Sequence, residues 1–141
     1  MNIAVNYVAV LVGAIVSMVL GFLWYGPVFG KKWMALSGIN PGTMTEEQKK
    51  GMNKSYALMF VGSLVTSYVL WHMIVYSTGF MQKSGAMMGM QAGFWIWLGF
   101  VAPVIMGSVL WEGKSWSLFA LNDGYQLVNL SLIGAILAAW M

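Results

Sequence analysis

The sequence predicts an all-α integral membrane protein in which four transmembrane helices form a bundle. Only 8% of its 141 residues are charged and 60% are hydrophobic, whereas a soluble domain carries about 25% charged residues. Residues 1–30, 55–82, 84–111 and 124–141 contain no charged side chain. Each stretch is long enough for a membrane-crossing helix, which needs roughly 17–25 residues. This composition excludes a soluble enzyme, a nucleic-acid-binding protein and a disordered chain.

The helix boundaries follow from the uncharged stretches and from the residues that interrupt them. The first helix is predicted over about residues 3–25, because Gly26-Pro27 follows and proline cannot continue the hydrogen-bond ladder. The length of the chain leaves room for a single membrane domain, residues 1–141, and for no soluble one. The other three helices are predicted over about residues 55–78, 88–111 and 118–141.

Loop 26–54 is the one long connection between the predicted helices. It contains Thr45-Glu46-Glu47-Gln48, a capping-box pattern in which the threonine and glutamine side chains bond to each other's backbone amides. This pattern predicts the start of a helix within the loop. It leaves open whether that helix is a separate interfacial element or continues into the second transmembrane helix.

The lysines predict an orientation in the membrane. Six of the seven lie in loops 26–54 and 112–117, and only Lys83 lies in the loop between them. Because lysine is enriched in cytoplasmic loops, we expect both lysine-rich loops in the cytoplasm, both termini outside, and a location in the bacterial inner membrane. Tryptophan favours the two membrane–water boundaries. We expect Trp24, Trp33, Trp111 and Trp116 near the inner boundary and Trp71, Trp95, Trp97 and Trp140 nearer the outer one.

A short pattern occurs twice in the same order. Gly-Lys-x-Trp at residues 30–33 is followed by Asn-x-x-Tyr-x-Leu at residues 53–58, and residues 113–116 and 122–127 repeat both parts. A duplication predicts two parallel helical-hairpin repeats related by an axis along the membrane normal. The alternative is that similar helix ends at a membrane surface need similar residues.

Several stretches carry a family resemblance. Residues 23–33, 99–103, 109–119, 122–126 and 134–137 together resemble the small bacterial membrane proteins grouped as domain of unknown function 1761. The resemblance covers nearly the whole chain. It implies a four-helix inner-membrane protein, and it implies no activity and no catalytic residues.

Asp123 is the strongest candidate for a functional residue, because ionisable side chains within membrane helices are costly and are commonly functional. Asn122, Gln126 and Asn129 recur at i, i+4 and i+7 and share one helical face, which Asp123 borders. This polar stripe predicts either an ion or substrate path or interhelical hydrogen bonds that hold the bundle together. A third interpretation places Asp123 at the water boundary as a helix N-cap.

The repeat also predicts a partner for Asp123. Lys54 occupies the equivalent position in the first copy. Opposite charges near one pseudo-symmetry axis could pair, which would lower the cost of burying either group. Lys54 is therefore included with the candidate path residues.

Proline and small residues predict features of the helix packing. Pro103 lies near the middle of the third predicted helix, where we expect a kink. Small residues spaced by four allow helices to approach closely, within the bundle or between copies of the chain. These stripes are Gly13, Ser17 and Gly21; Gly85, Gly89 and Gly93; and Ser131, Ala135 and Ala139.

These features favour a small channel or transporter for an ion or small solute, working as a homo-oligomer, because four short helices can barely enclose a path. The alternative is a non-transporting accessory protein that binds lipid or a partner protein through small-residue helix faces. The sequence contains no motif of hydrolytic or nucleotide-dependent catalysis, so we expect no enzyme activity. We expect membrane lipid as a partner, no nucleic acid, and no resident metal or cofactor.

Overall fold

A computed structural model describes residues 3–141. All regular elements within this range are helical, and no strand is present among them. A short 3₁₀ turn, Pro41–Thr43, and two π-helical turns, Trp24–Val28 and Trp97–Val101, connect or interrupt the α-helices. The α-helices are α1 (Tyr7–Leu23), α2 (Gly30–Ser37), α3 (Glu46–Met81), α4 (Ala86–Ile96), α5 (Ala102–Leu110) and α6 (Trp116–Ala139).

Three continuous helical stretches are long and apolar enough to cross a membrane: Tyr7–Val28, Glu46–Met81 and Ala86–Leu110. The chain therefore has the helices of a membrane protein. Helix α6 has 24 residues, enough in length at 1.5 Å per residue. It falls outside this set because the polar stripe and Asp123, between residues 122 and 129, lower its hydropathy.

The first helix does not end before Gly26-Pro27, so the predicted boundary is wrong. A π-helical turn continues the helix through Pro27 to Val28, and the amide of Phe29 donates to the carbonyl of Trp24 at 2.9 Å. A π turn bonds residues five apart instead of four. It therefore passes the proline without requiring the amide hydrogen that proline lacks.

The capping box starts a helix as predicted, and that helix continues into the second apolar stretch. The Gln48 amide donates to Thr45 Oγ1 at 3.2 Å, and the Thr45 amide donates to Gln48 Oε1 at 2.8 Å. Helix α3 then runs unbroken for 36 residues. Loop 26–54 thus contains α2 and the first turns of α3, and the helix that the capping box starts is not a separate element.

The third helix is interrupted next to Pro103. The π turn Trp97–Val101 separates α4 from α5, and the amide of Ala102 donates to the carbonyl of Trp97. Pro103 lies in the first turn of α5, directly after this π turn. A π turn therefore precedes Pro103, while the kink expected at this proline stays a prediction.

Helices α4 and α6 make the most extensive contact in the structure. Gly89 lies against Gly134, and Gly93 lies against the backbone of Leu130, so α4 and α6 run antiparallel. A methyl group on either Gly89 or Gly93 would overlap a carbonyl of α6. The small residues at positions 89 and 93 are thus used within the chain.

Helices α1, α3 and α6 pack against one another and form the rest of the core. Ile74 on α3 and Ile133 and Leu137 on α6 are fully buried there. In contrast, the residues of α5 are all half-buried or exposed. Helix α6 is therefore the element that both parts of the core share.

Candidate functional site

Asp123 lies inside the packing, on the side of α6 that faces the end of α4. The residue is only 4% exposed. Trp97, the first residue of the second π turn, donates its indole hydrogen to Asp123 Oδ1 at 3.0 Å and to the Asp123 carbonyl at 3.1 Å. Asp123 is thus linked to the π turn Trp97–Val101 by these two hydrogen bonds.

Asp123 is not the N-cap of its helix. Ser115 caps α6 by accepting a hydrogen bond from the Leu118 amide at 3.1 Å. Asp123 follows about two turns later, so its carboxylate has no free helix-terminal amides to accept from. The capping interpretation is wrong.

Asp123 also has no cationic partner among residues 3–141. The ion pairs in that range join Lys49 to Glu46 and Lys114 to Glu112. Lys54 is exposed on α3. It precedes Ser63, the residue through which α3 bonds to α1, by nine residues, or about 14 Å along the helix. The predicted pairing of Lys54 with Asp123 is not formed, because Lys54 lies beyond the packed part of α3 and Asp123 faces α4.

The two residues that precede Asp123 on α6 are hydrogen-bonded to side chains of the first π turn. Trp24 donates its indole hydrogen to the Leu121 carbonyl at 3.1 Å. Tyr25 donates its hydroxyl hydrogen to Asn122 Oδ1 at 3.0 Å. The segment 121–123 of α6 is therefore bonded by one tryptophan from each π turn.

The predicted polar stripe divides between two sides of α6. Asn122 faces Tyr25 on the α1 side, and Asn129 is buried two turns further along the same face. Between them, Tyr125 donates to the Ser17 carbonyl at 3.1 Å. Gln126 is half-buried. Asp123 points away from this face, so the structure does not bring the four predicted residues into one site.

Two groups of functional candidates were not identified from the sequence. The sequence predicts Trp97 nearer the outer boundary, whereas in the structure it lies about midway along the stretch Ala86–Leu110 and bonds to Asp123. A tryptophan within a membrane helix needs an acceptor for its indole hydrogen, and this requirement was the available signal. The buried serines Ser17, Ser63 and Ser67 gave no comparable signal, because serine is common in membrane helices.

An open surface groove of about 440 Å³ lies at the other end of the helices. Its lining includes Asn6, Trp71, Thr78 and Trp140. None of the predicted site residues belongs to that lining. The groove and the Asp123 site are therefore separate features.

The sequence profile of one family matches residues 8–138, and that family is described as "Protein of unknown function (DUF1761)". The chain belongs to the DUF1761 family. The resemblance noted from the sequence motifs is thereby confirmed. Comparison with curated proteins and with solved structures gave no match. Membership of the DUF1761 family carries no activity, so a function has to be argued from the site.

Proposed function

We propose that the chain moves a small cation, the proton being the simplest, across the membrane, and that Asp123 binds this cation. The observation that carries the proposal is a buried carboxylate whose hydrogen-bond donor within the described chain is one indole. Intramembrane acidic residues commonly belong to ion paths or proton relays.

The electrostatics of burial support a cation as the ligand. An ionised carboxylate taken out of water costs several kcal/mol unless a positive charge or several hydrogen bonds compensate it. Trp97 supplies a single indole hydrogen, shared between a carboxylate oxygen and a carbonyl. Within residues 3–141 neither ion pair involves Asp123. A cation that arrives from outside the chain is therefore the partner that the site fits.

The second π turn supports a movable site. π-helical turns often occur at functional positions in helices. Here the turn Trp97–Val101 connects tightly packed α4 to α5, whose residues are half-buried or exposed. A rearrangement of this turn would move Trp97 relative to Asp123 without disturbing the contact between α4 and α6.

The proposal includes an arrangement in the membrane. Helix α6 acts as a fourth membrane-spanning helix, since its polar side chains are turned into the bundle. Loops 26–54 and 112–117 face the cytoplasm from the inner membrane, and the two termini face outward, as the lysines indicate. Two parallel hairpins then form each copy of the chain, and several copies form a homo-oligomer.

The test is a flux measurement on purified protein in liposomes, with Asp123→Asn as the variant. Asparagine keeps the size of the side chain and can still accept from Trp97, but it cannot carry the negative charge. We expect wild-type liposomes to pass protons down a potassium-valinomycin diffusion potential, detected with an internal pH dye, and Asp123→Asn to lose at least tenfold of this flux. Sodium flux is measured in parallel.

Glu112→Gln is the matched control, because it removes the same charge from an exposed residue that pairs with Lys114. This variant is expected to retain wild-type flux. Equal flux in wild-type and protein-free liposomes would refute the proposal, and so would full flux in Asp123→Asn.

A second candidate is a non-transporting accessory protein. The observation that favours it is that Asn122, Asp123 and Tyr125 all take part in hydrogen bonds between helices. On this hypothesis the polar residues stabilise the fold, and wild-type liposomes pass no ions above background. Neither candidate involves enzyme activity, and its absence stays a prediction.

A further inference from the structure

A second buried polar region lies on a different side of α6 from Asp123, where α1, α3 and α6 meet. We name it the polar seam and define it by Ser17 on α1, Ser63 and Ser67 on α3, and Tyr125 and Asn129 on α6. Ser63 Oγ donates to Ser17 Oγ at 3.4 Å, and the Tyr125 hydroxyl donates to the Ser17 carbonyl at 3.1 Å. All five residues are buried, each 7% exposed or less.

Ser67 differs from the other hydroxyl residues of α3. Ser63, Thr66 and Ser77 each donate to the carbonyl one turn back in the helix, which is the usual way to satisfy a hydroxyl in a membrane helix. Ser67 Oγ makes no hydrogen bond to any residue in the described range. It points towards α1, where a methyl group on Gly13 would lie 2.8 Å from it.

Asn129 carries the second unpaired atom of the polar seam. Its Oδ1 is buried and accepts no hydrogen bond from residues 3–141. Asn129 follows Tyr125 by four residues and shares its face of α6, and Tyr125 bonds to α1, the helix that Ser67 also faces. A buried acceptor without a donor costs about 1–3 kcal/mol. Two such atoms in one region indicate that something else bonds to them.

The chemistry of the polar seam favours a neutral ligand. It contains hydroxyl, amide and carbonyl groups and no charged side chain. Asp123 lies two residues before Tyr125, about 200° away around the helix, and bonds to Trp97. A cation bound in the seam would therefore be buried without a counter-charge. Asn129 Oδ1 needs a donor, whereas Ser67 Oγ can donate or accept. Water meets both needs and is the usual occupant of buried polar sites.

We propose that the polar seam binds ordered water, with Asn129 Oδ1 and Ser67 Oγ as its ligands. The bound water connects α3 and α6 beside α1, inside the membrane-spanning part of the chain. This inference does not depend on cation transport by Asp123, because it concerns a different side of α6.

The test uses the sign of a stability change. If Ser67 Oγ binds water, Ser67→Ala removes a hydrogen bond and lowers the apparent Tm of the purified protein, by about 2–4 °C for a chain of this size. If the hydroxyl is dry and unpaired, its removal leaves the Tm unchanged or raises it, and the proposal is wrong. Asn129→Leu is expected to change the Tm in the same direction. Ser77→Ala, which loses only a bond within α3, is the control and should change it by less.

Radiolytic hydroxyl-radical labelling gives an independent readout, because bound water produces radicals beside it. Tyr125 is 7% exposed and Met88, in the contact of α4 with α6, is 6% exposed. With each rate normalised to that of the unfolded chain, we expect Tyr125 to label at least fivefold faster than Met88, and equal rates would overturn the proposal. The Tm is expected to be the same in sodium and in choline chloride, whereas a sodium-specific rise would identify a bound cation instead of water.

Discussion

Helix α6 contacts α4 through its backbone and contacts α1 through polar side chains. On the α4 side, glycines at positions 89, 93 and 134 bring the two backbones into direct contact. On the α1 side, Tyr25 bonds to Asn122 and Tyr125 bonds to the Ser17 carbonyl. In a membrane both solutions work, because neither relies on the exclusion of water between helices. The two contacts differ in how much stability a substitution at each one removes.

The difference predicts that the glycine contact is the most sensitive point of the fold. Gly89→Ala places a methyl group where the Gly134 carbonyl lies, and neither backbone can move without separating α4 from α6. We expect this variant to lose about 3 kcal/mol or more of stability, measured as a loss of Tm and of monodisperse protein in detergent.

Gly62→Ala is the control for that experiment, since nothing lies within 4 Å of the added methyl group. It is expected to be neutral or slightly stabilising, because alanine has the higher helix propensity. Equal stability of Gly89→Ala and Gly62→Ala would show that the backbone contact is not formed.

The polar contact predicts a smaller and more specific effect. In a double-mutant cycle of Tyr25→Phe and Asn122→Ala, we expect a coupling energy of about 0.6–1.7 kcal/mol, the range of hydrogen bonds between membrane helices. The measurement is the free energy of unfolding in mixed micelles. Additive single-mutant effects would mean that the 3.0 Å bond between Tyr25 and Asn122 contributes nothing.

Ser63→Ala is expected to lower the free energy of unfolding by less than Gly89→Ala, Tyr25→Phe or Asn122→Ala. Ser63 Oγ lies 3.4 Å from Ser17 Oγ but 2.9 Å from the Met59 carbonyl, so its shorter bond is within its own helix. We expect a loss below about 0.5 kcal/mol in the same unfolding assay. A loss as large as that of Gly89→Ala would place the main polar contact between α1 and α3 instead of between α1 and α6.

The two π turns explain where prediction from the sequence succeeds and where it does not. The uncharged stretches locate the long helices, because a hydrocarbon environment restricts charge over the whole length of a span. The uncharged stretches do not locate the end of the first helix near Pro27, because a proline is compatible with either a helix end or a π turn. The choice depends on contacts of α1 with α6, such as the bond from Trp24 to Leu121.

Asp123 illustrates the same limit at the candidate site. The scarcity of charge singles it out, because few acidic residues lie within a predicted helix. The internal repeat assigns it Lys54 as a partner, but the structure gives it Trp97 instead. Sequence order specifies which residues are equivalent along the chain. It does not specify which face of α6 each neighbouring helix covers, and that depends on the glycine contact with α4.

Helix α3 is about 54 Å long, since its 36 residues rise about 1.5 Å each. To fit within a hydrocarbon core about 30 Å thick it would need a tilt of about 56°, and membrane helices tilt by up to about 40°. Part of α3 must therefore extend beyond the hydrocarbon core, and its charged first turns, residues 46–54, are the part suited to do so. Helix α3 continues without a break to Ser63 and Ser67, which are buried in the core of the protein. Helix α3 thus joins a charged end outside the hydrocarbon core directly to residues in the packed interior of the protein.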